Sequence, residues 1–151
     1  MKQEDKDLLL RDLCARLPYG VKAVLKQTNC HNSTKHKVNE KDIYSFRTGK
    51  PLEEDYGQHD YYKVVVTDIK PYLFPLSSMT EEQESYLHFN TKFSITRFGN
   101  LIVKTDENDY PFDVGEDDWL NLFDWLNKNH FDYRGLITKG LAIDATGLNI
   151  Y

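Results

Sequence analysis

Residues 130–140 read HFDYRGLITKG and place His130, Asp132, Tyr133 and Arg134 within five positions of one another. Histidine, aspartate and tyrosine carry protons, and arginine stabilises negative charge. The set would suit acid–base work on a bound ligand. The stretch also reads as the start of a helix. Asp132 is a good N-cap, because its carboxylate can accept from backbone N–H groups that a first turn leaves unpaired. Phe131 before the cap and Leu136 inside it have the spacing of a hydrophobic staple. Tyr133, Leu136, Ile137 and Gly140 follow at i, i+3, i+4 and i+7, with Gly140 placed to end the helix. Capping accounts for Asp132 and leaves His130, Tyr133 and Arg134 as a candidate ligand site.

Segment 106–118 holds seven carboxylates and no basic residue, and Tyr110 and Phe112 interrupt it. Glu116, Asp117 and Asp118 stand where a helix N-terminus favours negative charge. Asp113 with Glu116 is spaced to cap that entry. Asp106, Glu107 and Asp109 fit this explanation less well. Asp106, Glu107, Asp109, Tyr110, Phe112 and Asp113 therefore form a candidate partner-binding surface, negative with aromatic content and suited to a basic protein.

Other chemistries lack their patterns. Cys30, His31, His36 and His59 are metal-ligand types, but CHNSTKH does not have the paired spacing of a zinc site. No metal and no cofactor are expected. There is no GxSxG elbow, no Walker A loop and no GxGxxG. Ser77 and Ser78 precede a helix and read as cap residues. The expectation is a protein that is not an enzyme.

The chain has 151 residues, read as a single domain spanning 1–151, with a formal charge of −5 and ten tyrosines. A negative average field disfavours nucleic acid and anionic membranes. A local basic patch of Lys22, Lys26, Lys35, Lys37 and Arg47 keeps a nucleic-acid-binding barrel as the alternative reading. The charged N-terminus lacks the apolar run of a signal peptide, and no segment approaches a membrane span. With two cysteines and no CxxC, a reducing cytoplasm is the expected compartment.

The elements that must position these residues follow from periodicity. Residues 3–17 predict a helix with Leu10, Leu13, Cys14 and Leu17 on its apolar face, so that Cys14 is buried. VKAVL (21–25) predicts a half-buried strand. IYSF (43–46) predicts a short strand and YYKVVVTDI (61–69) a strong one. KPYLFPL (70–76) cannot be a helix, because Pro71 and Pro75 hold the residues before them extended, and it reads as an arm across the body. Thr80 and Gln83 form a capping box for a helix from 77 to 87. KFSITRF and LIVKT alternate about Gly99-Asn100 as a hairpin with a two-residue turn. Trp119, Leu122, Phe123 and Leu126 stripe a helix over 116–129. Without βαβ alternation the class is α+β: a small antiparallel sheet, or an SH3-like barrel, framed by three to four helices.

Three blocks carry a family likeness: LLLRDLCARLPYGVK (8–22), IKPYLFPLSSMTEEQ (69–83) and WLNKNHFDYRGLITKGLAIDATGLNIY (125–151). Together they resemble small proteins encoded by gut anaerobic bacteria and their phages. The resemblance implies a small β-barrel framed by helices and a phage or mobile-element context. It implies no activity, cofactor or catalytic residue. The reading is a non-enzymatic interaction module for an unidentified, basic protein partner.

Overall fold

The computed structural model describes residues 1–25, 34–48 and 69–151. The fold is α+β. Helix α1 spans Gln3–Arg16, followed by strands β1 (Lys22–Leu25) and β2 (Thr34–Lys37) and helix α2 (Glu40–Thr48). Then come β3 (Ile69–Leu73), α3 (Glu81–Asn90), β4 (Phe93–Ile95), β5 (Leu101–Val103), α4 (Glu116–Lys128) and β6 (Ile143–Asp144).

The main sheet has the order β2-β1-β3-β6. β1 pairs antiparallel with β2 and β3, whereas β3 pairs parallel with β6. The sheet is thus mixed rather than antiparallel. Among the described residues it is open, with β2 and the two-residue β6 at its edges, and the expected SH3-like barrel does not form. Closure would require those edges to pair.

The proline-rich segment is extended at its start as expected, but residues 70–73 belong to a central strand of the sheet and are not a separate arm. Pro71 stands opposite Ala23. Leu73 accepts from Ala145 N on the β6 side, and by strand alternation Pro71 faces the same side. The β3–β6 ladder begins only at Tyr72, so the missing proline N–H falls where no ladder bond is required.

Helix α1 forms as expected but is rotated about its axis. Its buried positions are Leu9, Asp12, Leu13 and Arg16. Cys14 is exposed, contrary to expectation, because a charge pair takes the inward positions instead. Pro18 sits in a 3-10 turn over Leu17–Tyr19, and Gly20 closes it in the left-handed region at φ 68°.

IYSF lies inside helix α2, not in a strand. Asn39 Oδ1 accepts from Asp42 N, and Asp42 Oδ2 accepts from Asn39 N, a reciprocal cap that starts the helix. Of the predicted strand 61–69, only Ile69 lies within the described residues. Cys30, His31, His59 and Lys26 lie outside them.

Thr80 and Gln83 make the predicted capping box of α3. The hairpin forms with shorter strands and a longer turn. Thr96 N donates to Asn100 O and Gly99 N to Thr96 O, with Gly99 at φ 77°. A Cβ on Gly99 would stand 2.9 Å from Ser77 N, so this turn has no room for a side chain. At α4 the entry is capped by Asp118, whose Oδ2 accepts from Gly115 N, and not by the Asp113–Glu116 pair.

Among the described residues three buried clusters form the core. One joins Leu9 and Leu13 of α1 to Val21 and to Ala23, Ile69 and Leu73 of the sheet. A second packs Leu87, Phe93, Leu122, Leu126 and Phe131 between α3, α4 and the hairpin. A third seats Ile150 and Ala145 on Tyr72. No helix among the described residues is long and apolar enough to cross a membrane.

Candidate functional site

The structure gathers His130, Tyr133 and Arg134, but not on a helix. Residues 131–140 form a chain of turns. Asp132 still caps: Oδ1 accepts from Leu136 N at 2.8 Å and Oδ2 from Ile137 N at 2.7 Å. Gly135 and Gly140 take left-handed φ of 70° and 69°, and the first of these breaks the helical path. Phe131 and Leu136 fall in separate core clusters rather than forming a staple.

These residues surround a buried charge network that sequence reasoning missed. Arg16 Nε and Nη2 donate to the two oxygens of Asp12 at 2.8 and 3.0 Å. Both residues are fully buried. Arg16 Nη2 also donates to the Phe131 carbonyl at 2.7 Å, and Arg134 Nη1 donates to Asp12 Oδ1 at 2.9 Å. One carboxylate therefore serves two guanidinium groups. Tyr133 lies among the cations, its ring centroid 5.6 Å from Cζ of Arg16 and 4.7 Å from Cζ of Arg134. Its hydroxyl donates to Asn127 Oδ1 at 3.1 Å. The i, i+4 spacing of Asp12 and Arg16 was visible in the sequence, but nothing local distinguished it from a solvated surface pair.

His130 leaves α4 with φ 58° and is buried. Burial, then the Arg16 and Lys22 charges, hold its pKa down at about 4, against an opposing pull from Asp12. It is neutral at physiological pH. Its ring stacks on Tyr151, whose own pKa burial pushes up to about 12. Lys22 Nζ donates to the Ile150 carbonyl, so this member of the basic patch is committed to the C-terminal segment. The β1–β2 register places Lys37 opposite Lys22 and Lys35 opposite Val24, and Arg47 is exposed on α2. His130, Tyr133 and Arg134 are thus held by stacking, hydrogen bonding and ion pairing.

The acidic segment is organised differently. Phe112 N donates to Lys104 O and Asp106 N to Tyr110 O, and Thr105 bridges Pro111. Residues 110–112 therefore add a third antiparallel run beside the extension of β5. Residues directly opposite share a face. Phe93, Leu101 and Val103 point into the core. Ile102, Lys104, Tyr110 and Phe112 share the outward face, and Tyr110 is 70% exposed.

Asp106 has a local task, since its Oδ1 accepts from Asn108 N and Tyr110 N and sets the turn. Asp118 pairs with Lys92 at 2.9 Å, which holds its carboxyl below the usual range. Glu107, Asp109 and Asp113 are exposed. Lys104 joins this face to α3, because Nζ donates to the His88 carbonyl and stands 5.8 Å from the Phe112 ring centroid. Beside His88, Phe89 is 79% exposed. A shallow cleft lined by Glu84, Ser85, His88, Phe89, Ser94 and Ile95 continues the surface.

Among the described residues no three or more histidine, cysteine, aspartate or glutamate side chains are gathered as a metal site. No family model, curated protein or solved structure matches the chain.

Proposed function

We propose that this chain is a non-enzymatic protein-interaction module, serving a phage or mobile element, that docks a basic protein partner on the outward face of the 93–112 meander. The observation that carries this reading is the coincidence of exposed Ile102, Tyr110 and Phe112 on one side of a small sheet, continued by Phe89. Strand faces turned to solvent ordinarily carry polar residues, and clustered large apolar side chains mark contact surfaces. Glu107, Asp109 and Asp113 supply a negative rim. An aromatic centre within a charged rim is the anatomy of an interface, in which the centre holds and the rim steers. The second alternative, an enzyme with a site around His130 and Arg134, has less support, because Arg134 is ion-paired to Asp12, Tyr133 is bonded to Asn127 and His130 is buried against the Tyr151 ring. The phage context rests on the resemblance of the three blocks.

The test is a comparative pull-down from producing cells. Wild-type protein and an Ile102→Ser/Tyr110→Ser/Phe112→Ser variant serve as baits, with captured proteins identified by mass spectrometry. A basic protein held by the wild type and lost by the folded variant is expected. A partner retained by the variant, or one of acidic character, would overturn the proposal. Nucleic acid in the wild-type eluate, with no protein lost from the variant's, would favour the basic patch instead.

A further inference from the structure

Among the described residues two buried side-chain polar atoms lack a hydrogen-bond partner: Nη1 of Arg16 and Nδ1 of His130. Arg16 is 0% exposed and His130 6%. The rest of the Arg16 guanidinium is engaged, and one of its bonds goes to the carbonyl of Phe131, the residue next to His130. A buried N–H without an acceptor, or a buried ring nitrogen without a donor, forfeits its hydration for nothing in return.

The two atoms are complementary. Arg16 Nη1 can only donate. A neutral imidazole has one N–H and one lone pair, and the Arg16 charge is among the causes holding this imidazole neutral. The same charge favours a lone pair, not an N–H, on the buried nitrogen. Water is the small molecule that accepts from one side and donates to the other. Chloride would need a donor on both sides and hence the opposite tautomer, although it would offset the second guanidinium that Asp12 leaves unbalanced.

We propose that one internal water molecule is a structural part of this fold, accepting from Arg16 Nη1–H and donating to His130 Nδ1. It links α1 to the exit of α4 through the two atoms that no protein group satisfies.

The test has three arms. In crystals grown with bromide, a peak within hydrogen-bond reach of both atoms and without anomalous signal is expected. An anomalous peak there, or no density, would overturn the assignment. Long-range ¹H–¹⁵N spectra of the wild type at neutral pH should show the proton of His130 on Nε2, and a proton on Nδ1 would contradict it. Water-oxygen relaxation dispersion should count one fewer long-lived internal water in His130→Phe, and an unchanged count would refute the bridge. If that variant does not fold, the two wild-type arms decide.

Discussion

The imidazole of His130 lies flat on the ring of Tyr151, with centroids 3.8 Å apart and planes 12° from parallel. The hydroxyl of the same tyrosine accepts from Lys22 N at 3.1 Å and donates to Tyr72 O at 2.8 Å. It thereby stands in for a ladder bond between β1 and β3, while its ring covers the residue that leaves α4.

Removing that hydroxyl should weaken the seam. Tyr151→Phe keeps the stack and loses two hydrogen bonds. Tyr151 is 42% exposed, so water compensates in part, and a loss of about 1–2 kcal/mol is expected. Tyr151→Ala should lose more, because the stack goes too. Denaturant melts of both variants check this, and equal losses would show that the ring contributes nothing.

Acid should destabilise the protein through His130. Its pKa is about 4 in the fold against 6.5 for the free side chain. Above the higher value both states are neutral and burial carries no protonation penalty. As pH falls between the two values, the unfolded chain takes up the proton first and stability is lost, to a ceiling of roughly 3 kcal/mol. His130→Asn suits the φ of 58° at this position and removes the titration. Melts between about pH 7 and 4 should show a shallower decline for the variant. Parallel declines would contradict the assignment.

Asp132 uses both of its oxygens. Asparagine has one acceptor oxygen, so Asp132→Asn should lose one of the two backbone bonds and Asp132→Ala both, about 1 and 2 kcal/mol. Stability measurements on the pair of variants give the order directly. Equal stability of the two would mean that a single bond carries the turn.

The Asp12–Arg16 pair should be costly to break and less costly to replace. Asp12→Ala leaves two guanidinium groups without their carboxylate and should cost about 3–5 kcal/mol. Asp12→Leu with Arg16→Met removes the fully buried pair together but leaves Arg134 and the Phe131 carbonyl without these partners, and melting should show part of that loss recovered. A double variant as unstable as the single would mean that the ions contribute specific stability.

With a partner in hand, the acidic rim and the aromatic centre should separate kinetically. Neutralising Glu107, Asp109 and Asp113 to Gln or Asn should slow association, more at low salt than at high. Tyr110→Ala should speed dissociation. Surface plasmon resonance at two ionic strengths reads both, and salt-independent association of the wild type would assign the rim no role.

Much of the helical frame could be read from the sequence, because capping and periodicity are local. The Thr80–Gln83 box and the stripe of α4 stand as expected. Leu122 and Leu126 of that stripe are buried, while Trp119 is 37% exposed, its ring centroid 4.6 Å from that of Phe93. What failed was decided by distant partners. Asp12 and Arg16 displace Cys14 from the interior because the Phe131 carbonyl and Arg134 meet them there. IYSF became helical because Asn39 and Asp42 cap each other, which outweighs β-propensity. Pro71 entered the sheet centre because β6 begins one residue later. The six candidate partner-binding residues fall into three groups: Asp106 sets the turn, Tyr110 and Phe112 share the outward sheet face, and Glu107, Asp109 and Asp113 are exposed in the same segment. Ile102 and Phe89 were missed, because an apolar residue in a strand or helix is ordinarily read as core.

The seam that Tyr151 closes joins positions 129 residues apart in the chain. A ribosome makes Lys22 and Tyr72 long before it makes their bridge. During synthesis the two strands can pair, but their shared end stays unlatched until residue 151 has left the exit tunnel. Contacts of such long separation are late and slow to form. On stalled nascent chains, amide exchange at Lys22 should therefore remain fast at every length that stops short of Tyr151, and slow once that ring is free to dock.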